Sequence, residues 1–401
     1  MRNILKKNHD YICKDYELSV FVCAYVILDA LNSTVQVAFG ISGSALSTFK
    51  IISQGLLFIL LICSIHKMPV TDFFKVVLTE IIGVFVCVYS YLLGASLSSI
   101  MNWGKEMVMV FLPLCIATYL IRDKSVLYRM LLKCSWGVLA ISIVNYFNST
   151  EVYDMHFSYS ILLLILLHIN EFTKSKKKFY LLTAIIEFLM MIIHGSRGAL
   201  VCVLVFICLK IITSNADSRR KTVLVLLSIS IFVMLYIAFK SYATAIYAIL
   251  QKLGIDGRTI RMLFSGDFSS HDGGRYELWD KTISLIKENP LAGWGMSGAV
   301  NELLSVGYYG AAYPHQLFLD LVMSFGIPIG LVLSIILVWK LRYVFIPKQS
   351  DFRDLIQIMT SISFVSLMFT GTFFTNFQFY LLLGLLCSKK YETHYYSVVR
   401  E

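Results

Sequence analysis

Long apolar runs alternate with short polar connections along most of the chain. A helix needs about 20 residues to cross a hydrocarbon core of about 30 Å, and about twelve runs approach that length. The predicted spans are residues 18–39, 46–65, 76–95, 107–121, 127–147, 157–171, 179–194, 198–214, 221–240, 314–339, 355–374 and 376–388. The pattern therefore predicts an all-α integral membrane protein with about 12 transmembrane helices.

Basic side chains fall in every second connection, and they resist translocation across a membrane. The basic connections are marked by Lys14, Lys67 and Lys75, Arg122 and Lys124, Lys174 to Lys178, Arg219 to Lys221, and Lys340 to Arg353. The connections between them, at 41–47, 97–102, 149–156 and Thr375, carry almost none. Both termini are therefore predicted to lie in the cytoplasm and the latter connections to face outward.

The composition agrees with this class of protein. Hydrophobic residues make up 57% of the chain and charged residues 15%, and the mean hydropathy is +0.72. The basic connections explain the net charge of +10, so no nucleic-acid partner is implied. The nine cysteines lie in predicted spans or in the N-terminal tail, and without a C-x-x-C pair they suggest neither a disulfide framework nor a metal site. We expect the first span to be an uncleaved anchor.

One connection, residues 240–313, is far longer than the others and is predicted to form a large periplasmic loop. It separates residues 1–239, which hold spans 1–9, from residues 314–401, which hold spans 10–12 and a cytoplasmic tail. Within it, Asp272 is a candidate helix N-cap, and Asn289 and Pro290 are stop signals. Helical spacing places the apolar residues on one face: Leu278, Trp279, Thr282, Ile283, Leu285 and Ile286. The loop should therefore contain an amphipathic helix.

Two arginines are candidates for binding an anion. Arg275 falls in the middle of the apolar face of that helix, where it either extends to water or forms an anion site against the membrane domain. Arg197 lies in a short outward connection among Gly195, Ser196 and Gly198, where it is either an interfacial anchor or a contact for a bulky anionic ligand.

His315 follows Pro314, a residue favoured at the first position of a helix, so it is predicted to lie in the first turn of the next span. Histidine exchanges a proton near neutral pH, which makes His315 either a catalytic base or a hydrogen-bonded structural residue. Asp320, a carboxylate inside the same span, is a candidate partner. Nearby Tyr309 and Tyr313 suit sugar faces but are also typical of an interfacial belt.

The stretches "GSRGAL", "GRYELWDKTISLIKENPLAGWG" and "YPHQLFLDLVMSFGIPIG" resemble, in order and spacing, the O-antigen ligase and polymerase superfamily, mainly over residues 190–335. The resemblance implies a GT-C-like polytopic glycosyltransferase of the bacterial inner membrane that is metal-independent, inverting and without a cofactor. It implies that Arg197 and Arg275 contact a diphosphate and that His315 is the essential histidine. Tyr313, Trp279, Tyr309, Gln316 and Asp320 are the candidate substrate-binding residues, although Gln316 stands where relatives more often have Asn.

The implied partners are an undecaprenyl-diphosphate-linked oligosaccharide and membrane lipid, with a chain-length regulator protein as a further candidate. The favoured activity is a polysaccharide polymerase, because "GSRGAL" and "YPHQLFLD" are most like polymerase sequences. A ligase that transfers polymer to lipid A core is the alternative. A lipid-linked oligosaccharide flippase is a third, kept open by the intramembrane acids Asp29, Glu80 and Glu187, although no internal repeat is visible.

Overall fold

The computed structural model describes the chain in eight stretches. These are residues 2–39, 43–65, 69–148, 155–194, 197–252, 275–306, 313–346 and 350–388. Throughout these stretches the secondary structure is helical, with no strand. This confirms the predicted all-α class.

Fifteen α-helices, numbered in chain order, occupy the described stretches. They are α1 (Arg2–Phe39), α2 (Gly43–Ile65), α3 (Val70–Leu92), α4 (Leu97–Glu106), α5 (Leu112–Leu120), α6 (Lys124–Asn148), α7 (Met155–Ser175), α8 (Lys178–His194), α9 (Arg197–Ile212), α10 (Ser218–Lys252), α11 (Arg275–Glu288), α12 (Val300–Leu304), α13 (Leu317–Leu341), α14 (Asp351–Met359) and α15 (Phe377–Cys387). A π-helical turn, Met107–Phe111, joins α4 to α5, and another, Thr360–Val365, follows α14.

Each predicted span falls mainly on helical residues, although residues 368–374 of the span at 355–374 are not helical. Of the described helices, four are both long and apolar enough to cross a membrane: Val70–Leu92, Leu97–Leu120, Lys124–Phe147 and Leu317–Phe345. Thr48–Ser64, Gly198–Ile212 and Phe377–Cys387 are shorter apolar helices. The chain therefore has the features of a membrane protein, while the number of twelve spans and the GT-C-like arrangement stay predictions.

Three boundaries differ from those predicted. Residues 97–102 are not a connection but the first turns of α4, which begins at Leu97. The hydroxyl of the preceding Ser96 caps the helix by accepting a hydrogen bond from Ser99 N–H. Helix α10 continues past residue 240 to Lys252. Helix α13 begins at Leu317, so His315 precedes it and does not lie in its first turn.

The connections rich in Lys and Arg meet at one end of the helical bundle. Lys14 of α1 pairs with Asp72 of α3 at 3.0 Å, and Asp15 accepts hydrogen bonds from the backbone N–H groups of Arg122 and Asp123 at 3.0 and 2.8 Å. At the same end, Asp354 of α14 pairs with Lys210 of α9 at 2.6 Å and with Lys174 of α7 at 3.3 Å. This arrangement fits the alternation of basic and non-basic connections that the sequence shows.

The main core lies where α1 packs along α6, α7 along α8, and α5 against α15. Phe21, Leu114, Leu131 and Leu164 are almost fully buried in it. A second, smaller core lies under the amphipathic helix α11 and contains Leu278, Leu285, Ala299, Leu303 and Met323. The apolar face of α11 is thus buried as predicted, apart from the exposed Ile283.

The segment after α11, residues 289–296, which we call the docking turn, is joined to α13 by backbone hydrogen bonds. Trp294 N–H donates to Met323 O at 2.8 Å, Gly295 N–H to Ser324 O at 2.9 Å, and Ile327 N–H to Pro290 O at 2.7 Å. These bonds are possible because α13 is interrupted at Gly326, which frees backbone groups that a continuous helix would use itself.

The docking turn also contacts α3. Tyr89 donates its hydroxyl hydrogen to Ala292 O at 2.5 Å, and Met296 N–H donates to Ser90 Oγ at 2.8 Å. The docking turn is therefore fixed to the bundle at two helices.

Glycine is required at this contact for two reasons. Gly326 has φ +76 and ψ 167, a conformation that is essentially confined to glycine and costs other residues on the order of 1–3 kcal/mol. A Cβ at Gly326 would lie 2.2 Å from Leu291 O, and one at Gly293, where φ is +73, would lie 2.4 Å from Gly326 N. Since these contacts are with backbone, no rotamer change relieves them.

Gly326→Ala should separate the docking turn from α13. Strain and clash together should lower the free energy of unfolding by about 2 kcal/mol or more. In detergent-purified protein, this appears as a lower thermal unfolding midpoint and as faster protease cleavage of the outer loop. Gly137→Ala is the matched control, because a Cβ there meets nothing within 4 Å. Equal midpoints and cleavage rates for the two variants would contradict the role of this contact.

Candidate active site

The segment Tyr313–Gln316 brings His315 to the outer end of α13 in a strained conformation. His315 has φ +55, in the left-handed region that residues other than glycine rarely occupy. Such a conformation costs on the order of 1–3 kcal/mol and persists only where neighbouring contacts fix it.

Contacts on both sides hold this segment. Trp279 of α11 donates its indole N–H to Pro314 O at 2.9 Å. The Gln316 amide oxygen accepts from Leu319 N–H and caps α13. The rings of Tyr313 and His315 meet edge to face, with centroids 4.6 Å apart. Trp279 and Gln316, predicted to bind substrate, thus both make contacts that position His315 in this structure.

The electrostatic surroundings of His315 keep its imidazole neutral at pH 7. Burial and the positive charge of Arg275 lower the pKa of His315 from 6.5 to about 4. Among the described residues, none forms a hydrogen bond with the buried Nδ1 atom. A buried polar atom left unsatisfied costs about 1–3 kcal/mol, so Nδ1 would gain from a further hydrogen-bond partner.

Arg275 is the first residue of α11 and is exposed to solvent. It lies close enough to His315 for its charge to affect the pKa of the imidazole. A neutral proton acceptor and an accessible guanidinium thus share one region, which suits deprotonation of a hydroxyl beside a bound anion.

Two predicted site residues cannot be placed beside His315. Arg197 is the first residue of α9, but its side chain lies outside the described part of the chain. Tyr309 and the proposed N-cap Asp272 also fall outside the described residues. The convergence of Arg197 with Arg275 and His315 stays a prediction.

Asp320 is buried in α13 and faces the connection before α15. It accepts a hydrogen bond from the Thr372 hydroxyl at 2.6 Å and another from Phe373 N–H. These hydrogen bonds connect α13 with the segment before α15, whereas the sequence suggested that Asp320 pairs with His315.

The first half of the chain contributes polar residues that the sequence did not connect with this site. They line a cavity in the outer half of the bundle that Tyr313 also lines: Asp29, Asn32, Lys50, Ser53, Gln54 and Glu106. Their helical spacing was a usable signal, since Asp29 and Asn32 on α1 are three residues apart and Lys50 and Gln54 on α2 four apart. Each pair therefore occupies one face of its helix.

A histidine and an arginine at the outer end of a helical, apolar bundle define a membrane protein with a candidate acid–base and anion-binding site. A family model described as O-antigen ligase matches residues 182–335, from α8 to α13. The match covers 154 of the 401 residues and supports, over this part of the chain, the resemblance to the O-antigen ligase and polymerase superfamily seen in the sequence. Searches of curated proteins and of solved structures gave no match.

Trp279→Phe tests whether the indole positions His315. It keeps a ring but removes the hydrogen bond to Pro314 O, worth about 1 kcal/mol, so we expect kcat for glycan transfer to fall about fivefold with KM unchanged, together with a small decrease in the unfolding midpoint. Trp339→Phe, on the exposed surface of α13, is the matched control and should retain full kcat. A fall in stability without a change in kcat would assign Trp279 a purely structural role.

Proposed function

We propose that the protein is a polysaccharide (O-antigen) polymerase that joins lipid-linked repeat units at the outer face of the cytoplasmic membrane. The observation that carries the proposal is the neutral His315, whose buried Nδ1 bonds to no residue in the described stretches, near the exposed Arg275. The family match over residues 182–335 supports a glycan-transferring enzyme.

In the proposed reaction, a hydroxyl of the acceptor glycan attacks the anomeric carbon of an undecaprenyl-diphosphate-linked donor. The new C–O bond forms as the bond to the diphosphate breaks, and the bonding electrons leave with the lipid diphosphate. His315 accepts the hydroxyl proton. Arg275, and Arg197 if it converges there, bind the diphosphate and stabilise its growing negative charge without a metal ion. Attack opposite the leaving group inverts the anomeric centre.

The ligase is the second candidate, because the matching family model carries that description. Ligase and polymerase share this chemistry and differ in the acceptor, which is lipid A core for a ligase. The likeness of "GSRGAL" and "YPHQLFLD" to polymerase sequences favours the polymerase. A flippase would instead move lipid-linked sugar across reconstituted vesicles without extending it.

Deletion and complementation test the proposal together with the role of His315. We expect the deletion strain to make lipopolysaccharide with a single repeat unit and wild-type protein to restore long chains. His315→Ala, expressed and inserted at the wild-type level, should not restore them, because the proton acceptor is lost. A lipid-linked ladder that never reaches the core would indicate a ligase, and long chains with His315→Ala would refute the catalytic assignment.

Arg275→Lys tests whether a planar guanidinium is required. An ammonium keeps the charge but not the paired N–H donors that match phosphate oxygens, so we expect Arg275→Lys to lose nearly as much kcat/KM as Arg275→Ala, on the order of tenfold or more. The measurement is chain extension in vitro with purified lipid-linked repeat units. Lys287→Arg, on the exposed face of the same helix, serves as control. Full activity of Arg275→Lys would show that only a surface charge is needed.

A further inference from the structure

A polar cavity of about 410 Å³ lies inside the bundle beside the candidate active site. Its walls come from α1, α2, α7, the α4–α5 region, the π-helical turn after α14, and the connection into α15 with the first residues of that helix. Two contacts join it to the active site. Tyr313 lines the cavity and also packs against His315, while Thr372 lines it and bonds to Asp320 of α13. The volume lies in the range of about 300–1,000 Å³ found for small-molecule sites.

The wall of the cavity combines hydrogen-bonding groups with aromatic rings. The amides are Asn32, Gln54, Asn376 and Gln378, and the rings include Tyr25, Phe111, Tyr159 and Phe377. Tyr25 and Phe377 meet edge to face with centroids 4.9 Å apart. Such a mixture suits sugars, whose hydroxyl groups bond to amides and carboxylates while their C–H faces pack on rings.

Two of these amides have buried oxygen atoms that no described group satisfies. They are Asn32 Oδ1 on α1 and Gln54 Oε1 on α2, and both residues line the cavity. Each unsatisfied acceptor costs about 1–3 kcal/mol, so a ligand that donates hydrogen bonds would gain by entering. Since α1 packs against α2, the two acceptors belong to one wall.

The formally charged side chains of the wall give it no excess of positive charge to attract an anion. Asp29 and Glu106 contribute two carboxylates and Lys50 one ammonium. A diphosphate would meet the two carboxylates in a partly dry site, where like charges repel strongly. The guanidinium of Arg275 lies instead beside His315, so the site that favours an anion and the cavity that disfavours one are separate.

We propose that this cavity binds uncharged, hydroxyl-bearing sugar units of the acceptor glycan and presents the attacking hydroxyl to His315. The proposal rests on the proposed function for the identity of the acceptor. It assigns the recognition of the sugar to α1 and α2, outside the segment that the family model matches. The donor diphosphate stays at Arg275.

The first test is a binding measurement that needs no catalysis. Asn32→Leu and Gln54→Leu replace an amide by an apolar side chain of similar size, and Asn301→Leu does the same at an exposed position of α12. The ligand is the repeat-unit oligosaccharide released by mild acid from the organism's own lipid-linked intermediate, titrated calorimetrically into the purified protein. We expect about tenfold weaker binding for each cavity variant and wild-type binding for Asn301→Leu. Wild-type affinity in both cavity variants would overturn the proposal.

A measurement on the wild-type protein covers the case in which a variant does not fold. The same oligosaccharide carrying a diazirine group should, on illumination, label peptides of α1 and α2, and inorganic pyrophosphate should not displace it. Labelling confined to other helices, or displacement by pyrophosphate, would overturn the proposal.

The outcomes separate this proposal from the proposed function. If the wild-type protein binds and is labelled as expected but extends no chain, the sugar site stands and the polymerase assignment fails. If it extends chains while both cavity variants keep wild-type binding and KM, the polymerase assignment stands and the sugar site fails. If both proposals hold, the cavity variants raise KM for the acceptor about tenfold and leave kcat nearly unchanged.

Discussion

The hydrogen bonds between the docking turn and the interrupted helix α13 are the constraint on which the active site depends. The chain segments on either side of an amphipathic helix in a long loop do not by themselves fix its position. The bonds from Trp294 and Gly295 to Met323 and Ser324, with the return bond from Ile327 to Pro290, fix α11 against α13. The break at Gly326 supplies the free carbonyl and N–H groups that make these bonds. A glycine in α13 thus determines where an arginine of the outer loop lies.

The strained segment at His315 follows from the same contact. Once α11 is fixed, Trp279 reaches Pro314 O, and Gln316 caps the helix from the other side. Held between these contacts, the imidazole is partly buried and faces the charge of Arg275, so it is neutral at physiological pH. The positive charge that could bind an anion is that of Arg275 on α11, while Asp29 and Glu106 contribute carboxyl groups to the adjoining cavity. This separation of charge suits a reaction that holds a diphosphate on one side and a neutral sugar on the other.

Hydropathy predicted the all-helical class and the apolar helices, because a long apolar run is typical of a helix that crosses a membrane. The helix in the outer loop could also be predicted, since the spacing of Leu278, Thr282 and Leu285 determines its buried face. What could not be predicted was pairing over long distances. Nothing local to Gly326 or Gly293 shows that they meet, and nothing local to Gln316 or Asp320 shows that their side chains bond to Leu319 N–H and Thr372. The cavity was missed for the same reason, because Asn32 and Gln54 become one wall only when α1 packs on α2.

The central claim is that the outer loop places Arg275 against a partly buried, neutral His315. The most direct measurement is a pH titration of the His315 resonances by NMR in protein with isotopically labelled histidine, assigned by comparison with His315→Ala. The account predicts a pKa well below 6.5 in the wild-type protein and a higher pKa in Arg275→Ala, where the neighbouring positive charge is gone. An ordinary histidine pKa that Arg275→Ala leaves unchanged would contradict it.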